Sequence, residues 1–502
     1  MNEKRKQGVY TSGPIGTRML KTAAAMLMGT LAMSGYNIVD TYFVSGLGGT
    51  KLAAMGFTFP VIMLIGCLFH GVGTGIMTPM AQSLGGGRQD KACKVVTSGV
   101  ILTLIVSLVI AVTGMATSAP LFYLFGARGE TLAQVRGYMN IWYFGCASAS
   151  LSMLGNNILV AAGDSKKASA LMVMGLLLNA ALDPLFILGW GPIPAMEIRG
   201  ASLATILSQS VSAVVALSII HSRHKLLTFH RIPWKEISAA WRLTTRYAIP
   251  ASLGMLMMPI GSSIITWITA RFGDAAVAAT AAAGRLEMAA FAFPMALGIA
   301  LTPMVAQNYG ARLYSRIRKC LVFAMGYAFS FLTVMAVLYF FFRVPLVRVP
   351  LVRVFSPRSL TSEMDQSVRD IMALALCVIP WGFSFIEIHR FSGFFYIGCG
   401  RPAVAAWLNA FRILGLMVPL SFLALWSGQL VWLFAARLLA DVIAGSTGFF
   451  LSWRMTRRLP AEDGVPPPAV RTSPVFRAVF HPRRLLSFGT TQAKIDSESD
   501  TQ

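Results

Sequence analysis

Long apolar stretches without any charged residue recur along this chain of 502 residues, for example at 95–125 and 320–342. A helix needs about 20 apolar residues to cross the hydrocarbon core of a bilayer. Only helices and closed barrels satisfy their backbone hydrogen bonds in lipid. These stretches are too long and too continuously apolar for barrel strands, so the sequence predicts an all-α membrane protein.

Composition supports this class and excludes others. Hydrophobic residues make up 55% of the chain and charged residues 13%, whereas soluble domains carry about 25% charged residues. The net charge of +23 would suggest nucleic-acid binding in a soluble protein, but here Lys and Arg lie mostly in connecting loops, where they set membrane topology. The six cysteines have no paired spacing and are interpreted as small buried hydrophobes, not disulfides or metal ligands.

Twelve spans are predicted, six in each half of the chain. The spans are 17–44, 52–80, 94–118, 137–162, 168–189, 199–221, 247–271, 275–304, 318–342, 371–398, 403–426 and 430–453. The predicted domains are an N-terminal segment 1–16 with no evident signal-peptide cleavage site, an N-lobe 17–221, a basic linker 222–246, a C-lobe 247–453 and a disordered tail 454–502.

The distribution of basic residues predicts the orientation. With the N-terminus in the cytoplasm, 24 Lys and Arg lie in or near inner loops and 10 in or near outer loops. This bias places both termini inside. Five of the outer ten lie in the loop 343–370, which contains the tandem copy Val344-Pro-Leu-Val-Arg348 and Val349-Pro-Leu-Val-Arg353, for which we have no functional account.

The two halves resemble each other. A motif near the end of the second span recurs near the end of the eighth, with its Ala-Gln and Gly positions displaced by 225 residues, as in Gln82 and Gln307 or Gly85 and Gly310. Six spans fit into that displacement, so both halves face the same way and form a parallel repeat. Two such bundles that rock about a cleft are typical of secondary transporters, although duplication could also build a large bundle without transport.

Four stretches make the sequence resemble the multidrug and toxic compound extrusion (MATE) family. They are Tyr36-Asn-Ile-Val-Asp40, the repeated Thr-Pro…Gln…Gly motif, Ala162-Gly-Asp164 with Asn179-Ala-Ala-Leu-Asp183-Pro184, and Gly200-Ala-Ser-Leu-Ala-Thr205. The resemblance covers roughly residues 15–455. It implies two six-helix lobes around a V-shaped cleft, and efflux of amphipathic cations in exchange for protons or sodium.

The resemblance also implies a cation site. In the DinF-like branch, a first-span aspartate and a fifth-span Asn/Asp pair hold the coupling ion in the N-lobe, and Asp40, Asn179 and Asp183 match these positions. The NorM-like branch uses a C-lobe sodium site with acids in the seventh and tenth spans. Here the seventh span has no acid and only Glu387 stands near the second position, so the chain resembles the DinF-like branch more.

Charged side chains within a span cost about 2.5–3.5 kcal/mol at mid-bilayer and therefore need a reason. Asn179 and Asp183 share one helix face, and Asp40 lies at a similar depth, so we expect a carboxylate pair that can take up a proton. Alternatively, Asp40 could reach the membrane interface, and Asn179 with Asp183 could cap a helix break made by Pro184.

Several C-lobe residues are further candidates for substrate binding or a second coupling site. Glu287 could meet a cationic substrate or could pair with Arg412 or Arg437. Glu387 offers another acid, whereas Arg437 and Asp441 at i,i+4 are interpreted as neutralising each other. Further candidates are Arg285 beside Glu287, Thr205 of the sixth span, and Met257 in a methionine-rich stretch that would suit promiscuous ligands or simple packing.

The sequence thus predicts a secondary multidrug antiporter that works by rocker-type alternating access in the plasma membrane. We expect small amphipathic cations and the bilayer as partners, no nucleic acid, a monomer, and no cofactor other than the coupling ion, with sodium possible at Asp40, Asn179 and Asp183. A flippase for lipid-linked saccharides is the nearest alternative, because arginines lie within the spans. A membrane enzyme is disfavoured by the lack of catalytic motifs, and a channel by the repeat.

Overall fold

Twelve long helices make up most of the computed structural model, which describes residues 8–190, 192, 194–228, 230–348 and 362–466. The first half comprises α1 (Ile15–Ser45), α2 (Gly49–Gly85), α3 (Gln89–Leu124), α4 (Gly129–Ala161), α5 (Ser165–Ile187) and α6 (Ile198–Ser222). The second half comprises α7 (Trp234–Ala270), α8 (Asp274–Gly310), α9 (Tyr314–Phe341), α10 (Ser362–Val378 and Phe383–Gly398 joined by the 3-10 turn Ile379–Gly382), α11 (Pro402–Ala410, the π-helix Phe411–Met417 and Val418–Trp426) and α12 (Leu430–Arg458). Two short helices, Val9–Thr11 and Arg343–Arg348, complete the described elements.

The predicted all-α membrane class is confirmed. Within the described ranges, eleven of the long helices are long and apolar enough to cross a membrane. The exception is α1, in which polar residues such as Thr30 and Tyr36 lower the mean hydropathy and Asp40 adds a charge. The six-plus-six arrangement therefore agrees with the predicted number of spans.

Several helices extend beyond the predicted spans. Helix α7 begins at Trp234, before the predicted span 247–271, so much of the predicted linker 222–246 is helical. Pro233 stands at the N-cap of α7, where a missing N–H costs nothing, and Lys235 and Glu236 keep the first turn polar. Helix α4 likewise begins at Gly129 and α12 extends to Arg458. The second copy of the tandem repeat and most of the tail lie outside the described residues.

The apolar cores show how the two halves join. One core includes Ile76 and Leu159 from the first half together with Leu301 and Phe395 from the second. It lies at the face where α2 and α8 end, which is also the face where α1 begins; we name it the closed face. Toward the opposite face, named the open face, each other core of the described chain belongs to a single half. Among the described residues, the two halves therefore share an apolar core at the closed face and have separate cores toward the open face.

The segment before α1 crosses the join at the closed face. The Tyr10 amide donates a hydrogen bond to Gln307 Oε1 at 2.8 Å, and the Tyr10 hydroxyl donates to the Val160 carbonyl at 3.0 Å. Arg316 Nη2 donates to the Tyr10 carbonyl at 3.3 Å. Tyr10 is buried. Through these bonds the segment contacts both halves and covers the junction between them at the closed face, which we name the seam.

Two helices of the second half depart from α-helical geometry. A 3-10 turn containing Pro380 interrupts α10, and seven residues of α11 form a π-helix that includes Arg412. Proline cannot donate the usual backbone hydrogen bond, which explains the break in α10. Short π segments within α-helices are frequent at functional sites, and this one turns Arg412 toward α12.

Candidate functional site

Four side chains from three helices of the first half meet in a buried site toward the open face; we name it the N-lobe site. Asp40 of α1 is 6% exposed, and Asn179 and Asp183 of α5 are fully buried. Asn179 Nδ2 donates to Asp183 Oδ1 at 3.2 Å, and Thr205 Oγ1 of α6 donates to Asp40 Oδ2 at 3.4 Å. The Asp40 and Asp183 carboxyl groups are close enough to interact electrostatically.

The chemistry of this contact constrains what the site can hold. A carboxylate only accepts hydrogen bonds, so two carboxyl groups in contact repel each other unless one carries a proton or a cation lies between them. Asp40 Oδ1, Asp183 Oδ2 and Asn179 Oδ1 are buried without a hydrogen-bond partner among the described residues. Three convergent oxygens suit a proton or a hard cation such as sodium, and this donor set therefore fits a coupling ion.

Three hydroxyl groups surround the carboxyl pair. The Tyr36 hydroxyl, one turn before Asp40 on α1, shares a hydrogen bond with the Ser208 hydroxyl of α6. Tyr138 of α4 is buried within electrostatic range of both carboxyl groups. The sequence reasoning missed Ser208 and Tyr138. Ser208 stands at i,i+3 from Thr205 and could have been found by helical spacing, but nothing in the sequence relates Tyr138 to Asp40.

The structure bears on the alternative interpretations of these residues. The Asp40 side chain is buried against α6, which does not favour its extension to the membrane interface. Asn179 and Asp183 do not cap a break, because α5 continues through Pro184 to Ile187. Thr205, a candidate for substrate binding or a second coupling site, lies against Asp40.

The interior of the second half carries a chain of ion pairs. Arg437 of α12 pairs with Glu287 of α8, and its Nε lies 3.9 Å from Asp441 Oδ2. Arg412 of α11 holds Asp441 more closely, with Nη2 2.7 Å from Asp441 Oδ1. The predicted pairing of Glu287 with an arginine is therefore found with Arg437, whereas the main partner of Asp441 is Arg412 and not Arg437. This chain ties α8, α11 and α12 together.

A separate pair lies on α10. Arg390 Nη1 is 2.9 Å from Glu387 Oε2, one turn away on the same helix, and the Arg390 guanidinium lies 5.5 Å from the centre of the Phe291 ring on α8. Next to it, His389 Nε2 is 3.1 Å from Asn409 Oδ1. Glu387 therefore has a cationic partner within the C-lobe.

The two remaining predicted candidates lie on α7 and α8. Met257 of α7 packs against Ile413 and Met417 in the π-helix of α11, so it contributes to the packing of the C-lobe. Arg285 is exposed on α8, two residues before Glu287. Across the part of the chain that the structure describes, no group of three or more His, Cys, Asp and Glu side chains is arranged to hold a metal ion.

Comparisons with known proteins agree with this architecture. The MatE family model matches residues 25–185 and 250–423. An FAD transporter from Shewanella oneidensis is 30% identical over 444 residues, which cover 88% of this chain and 96% of the relative. The multidrug export protein MepA from Staphylococcus aureus is 23% identical over 60% of this chain and 66% of its own length.

Solved structures show the same fold. A structure described as the outward-facing conformation of a multidrug resistance MATE family transporter has a TM-score of 0.81 at 25% identity, covering 91% of this chain and 99% of that chain. An aspartate-to-asparagine mutant of the Vibrio cholerae MATE transporter VcmN has a TM-score of 0.80 at 25% identity, covering 88% and 97%. The family model, the relatives and the fold agree, and the chain belongs to the MatE family of multidrug and toxic compound extrusion transporters.

Proposed function

We propose that this chain is a cation-coupled exporter in which the N-lobe site binds the coupling ion. The observation that carries this proposal is the buried contact between Asp40 and Asp183, with three partnerless oxygens around it. Such a site changes its free energy strongly when a proton or sodium ion enters or leaves. An ion that binds one state of the transporter more tightly than the other shifts the population toward that state.

The direction of transport in this proposal follows from the two faces. The bias of basic residues toward the loops of the closed face supports a cytoplasmic location for that face and for both termini. The structure then corresponds to an outward-facing state, with the N-lobe site in the half of the molecule nearer the open face. Ions would enter from outside. Their binding would favour the return of the transporter to the inward-facing state, in which substrate binds from the inside.

For the substrate we propose a compound with a planar aromatic ring and a phosphate group, of the class of FAD. Support comes from the Shewanella relative, which is named an FAD transporter and matches along nearly its full length. It also comes from the C-lobe interior, which holds Arg390, Arg412 and Arg437, the first of them beside the Phe291 ring. Since such a substrate is anionic, it would not compete directly for Asp40, and its exchange for the ion would be coupled through the movement of the lobes.

Amphipathic cations are the second candidate substrates. The relative MepA is named a multidrug export protein, and a cation could displace the coupling ion from Asp40 and Asp183 directly. A flippase for lipid-linked saccharides is a third possibility, which the arginines of the C-lobe would also suit through a lipid pyrophosphate.

The test is transport by the purified chain in proteoliposomes under a proton or a sodium gradient, with FAD, riboflavin or ethidium as substrate. We expect protein-dependent, gradient-driven movement of FAD, and the effective gradient identifies the coupling ion. Movement of ethidium but not FAD would select the cationic substrates. If no compound moves under either gradient, the exporter proposal is wrong, and binding of a lipid pyrophosphate would then favour the flippase.

A further inference from the structure

The three interior arginines of the second half are held in two different ways. Arg412 and Arg437 each bind a carboxylate on another helix and so tie α8, α11 and α12 to one another. The carboxylate partner of Arg390 is Glu387, three residues earlier on the same helix. The pair of Arg390 and Glu387 therefore links no two helices, and the packing of the bundle does not depend on it in the way it depends on the other pairs.

The two members of this pair differ in their access to solvent. The Arg390 side chain is 22% exposed, whereas the Glu387 side chain is fully buried behind it. One guanidinium nitrogen, Nη1, contacts Glu387 Oε2, and Glu387 Oε1 has no hydrogen-bond partner in the described chain. A guanidinium offers five N–H donors in a planar fork that matches two oxygens at once. Because Arg390 donates only one hydrogen bond to Glu387, most of its N–H donors remain for a group that approaches from the exposed side.

Aromatic rings also lie beside the pair. The Arg390 guanidinium is 5.5 Å from the centre of the Phe291 ring, and the Phe291 and Phe383 rings are 5.1 Å apart at their centres. Both rings are buried, so they support the guanidinium from inside the bundle. The exposed part of the guanidinium therefore suits an oxyanion such as a phosphate group.

We propose that Arg390 recognises the phosphate group of the exported substrate, and that Glu387 occupies the guanidinium when no substrate is bound. This inference rests on the proposed function, because it assumes a phosphate-bearing substrate, and it identifies the residue that selects that substrate. A phosphate that binds the Arg390 fork through two oxygens displaces the single bond to Glu387. The Glu387 carboxylate thus sets how strongly an anion must bind to enter.

The alternative is that Arg390 only neutralises the buried carboxylate of Glu387. The two roles predict opposite results for Glu387→Gln. If Arg390 is an anion-binding residue, removing its competitor strengthens the binding of phosphate compounds. If it is only a counter-charge, Glu387→Gln leaves the arginine unpaired and weakens the binding of phosphate compounds. The double variant Arg390→Gln/Glu387→Gln then restores wild-type binding.

The experiment measures the affinity of the purified full-length chain for FAD and for riboflavin, which lacks phosphate, by the change in flavin fluorescence. We expect the wild type to prefer FAD, Arg390→Gln to weaken FAD binding about tenfold or more while riboflavin binding stays constant, and Glu387→Gln to strengthen FAD binding. The matched control is Arg271→Gln, which removes an arginine that packs on Trp267 at 4.7 Å; it should leave both affinities unchanged.

Three results would overturn this role of Arg390. One is an equal loss of FAD and riboflavin affinity in Arg390→Gln, another is full recovery in the double variant, and the third is a wild type that binds FAD no more tightly than riboflavin. In each case the proteoliposome assay decides separately on the exporter. Gradient-driven transport by the wild type, for example of ethidium, would keep the proposed coupling at Asp40 while the phosphate role of Arg390 is abandoned.

Discussion

Gln82 and Gln307 cross the seam between the two halves in opposite directions. Gln82 Nε2 of α2 donates to the Gly398 carbonyl at 3.0 Å, and Gln307 Nε2 of α8 donates to the Ala161 carbonyl at 2.7 Å. Each acceptor is the last residue of the fourth helix in the opposite half. The internal repeat of the sequence thus produces a reciprocal pair of hydrogen bonds that holds the closed face together.

We expect loss of these bonds to shift the transporter away from the described state. Gln307→Leu removes the donor to Ala161 and the acceptor of the Tyr10 amide, whereas Gln82→Leu removes the donor to Gly398. The cost of unpaired buried groups predicts a destabilisation of the closed seam by about 2–4 kcal/mol for Gln307→Leu and about 1 kcal/mol for Gln82→Leu.

Distances between spin labels across the open face measure this shift. Labels at Ser45 on α1 and Trp426 on α11, both exposed, would be placed in a variant without native cysteines. A shorter distance should gain population in Gln307→Leu, and to a smaller extent in Gln82→Leu. Distance distributions identical to that of the wild type would refute the role of the glutamines in the seam.

Two glycines of the same motif allow the helices to approach. A Cβ atom at Gly85 would lie 1.9 Å from the Gln307 carbonyl oxygen, and one at Gly310 would lie 1.8 Å from the Gln82 carbonyl oxygen. Backbone atoms cannot turn aside as a flexible side chain can, so Gly85→Ala and Gly310→Ala should separate the helices and reduce transport severalfold. Gly66→Ala, on α2 with open space around the added Cβ, is the matched control. Normal transport by Gly310→Ala would contradict this account of the seam.

The ion pairs of the second half predict an asymmetry between single and double variants. Asp441→Leu removes the 2.7 Å partner of Arg412 and leaves a buried cation, which should lower the free energy of unfolding by about 3–5 kcal/mol. The double variant Asp441→Leu/Arg412→Leu should recover most of this loss, because apolar side chains can replace a buried pair. Thermal unfolding in detergent provides the comparison. A double variant that is no more stable than the single variant would argue against the pairing.

Asp164, in the loop between α4 and α5, predicts a pH dependence of stability. Burial by itself raises the pKa of Asp164, but the hydrogen bond and charge of Lys167, at 2.5 Å, outweigh it and hold the pKa below its ordinary value. Because the pKa is lowered in the folded state, the Asp164 carboxylate stabilises the fold at pH values above the ordinary carboxyl pKa of about 3.9. This stabilisation is lost as the pH falls through the folded pKa.

The unfolding temperatures of the wild type and Asp164→Asn should therefore differ at neutral pH and converge below about pH 4. Lys167→Gln is the complementary variant, because it removes the nearer basic partner of Asp164 and leaves His224 at 3.4 Å, so it should reduce the same dependence. A difference between wild type and Asp164→Asn that stays constant from pH 7 to pH 3 would show that the charge of Asp164 does not contribute.

Apolar stretches and the internal repeat were sufficient to predict the twelve helices and their division into halves. They were not sufficient to place the start of α7 at Trp234, because a helix that leaves the membrane loses its apolar signal while its backbone hydrogen bonds continue. The π-helix around Arg412 was also not predicted, since no feature of the local sequence distinguishes it from the α-helix on either side.

The N-lobe site was predicted in part. Helical spacing placed Asn179 and Asp183 on one face, and the family resemblance connected them with Asp40. Contacts between helices were not accessible in the same way, so the contact of Thr205 with Asp40 was not predicted and Tyr138 was missed. In the second half, the i,i+4 rule paired Arg437 with Asp441, but the shorter contact comes from Arg412 on another helix.

The most direct test of coupling at the N-lobe site compares uphill transport with simple exchange in Asp40→Asn, using proteoliposomes and whichever substrate the wild type transports. We predict that Asp40→Asn loses accumulation driven by the ion gradient but retains exchange of labelled for unlabelled substrate, which needs no net ion movement. Asp274→Asn, which changes an exposed acid at the start of α8, should retain both activities. Accumulation by Asp40→Asn at the level of the wild type would contradict the assignment of ion coupling to Asp40.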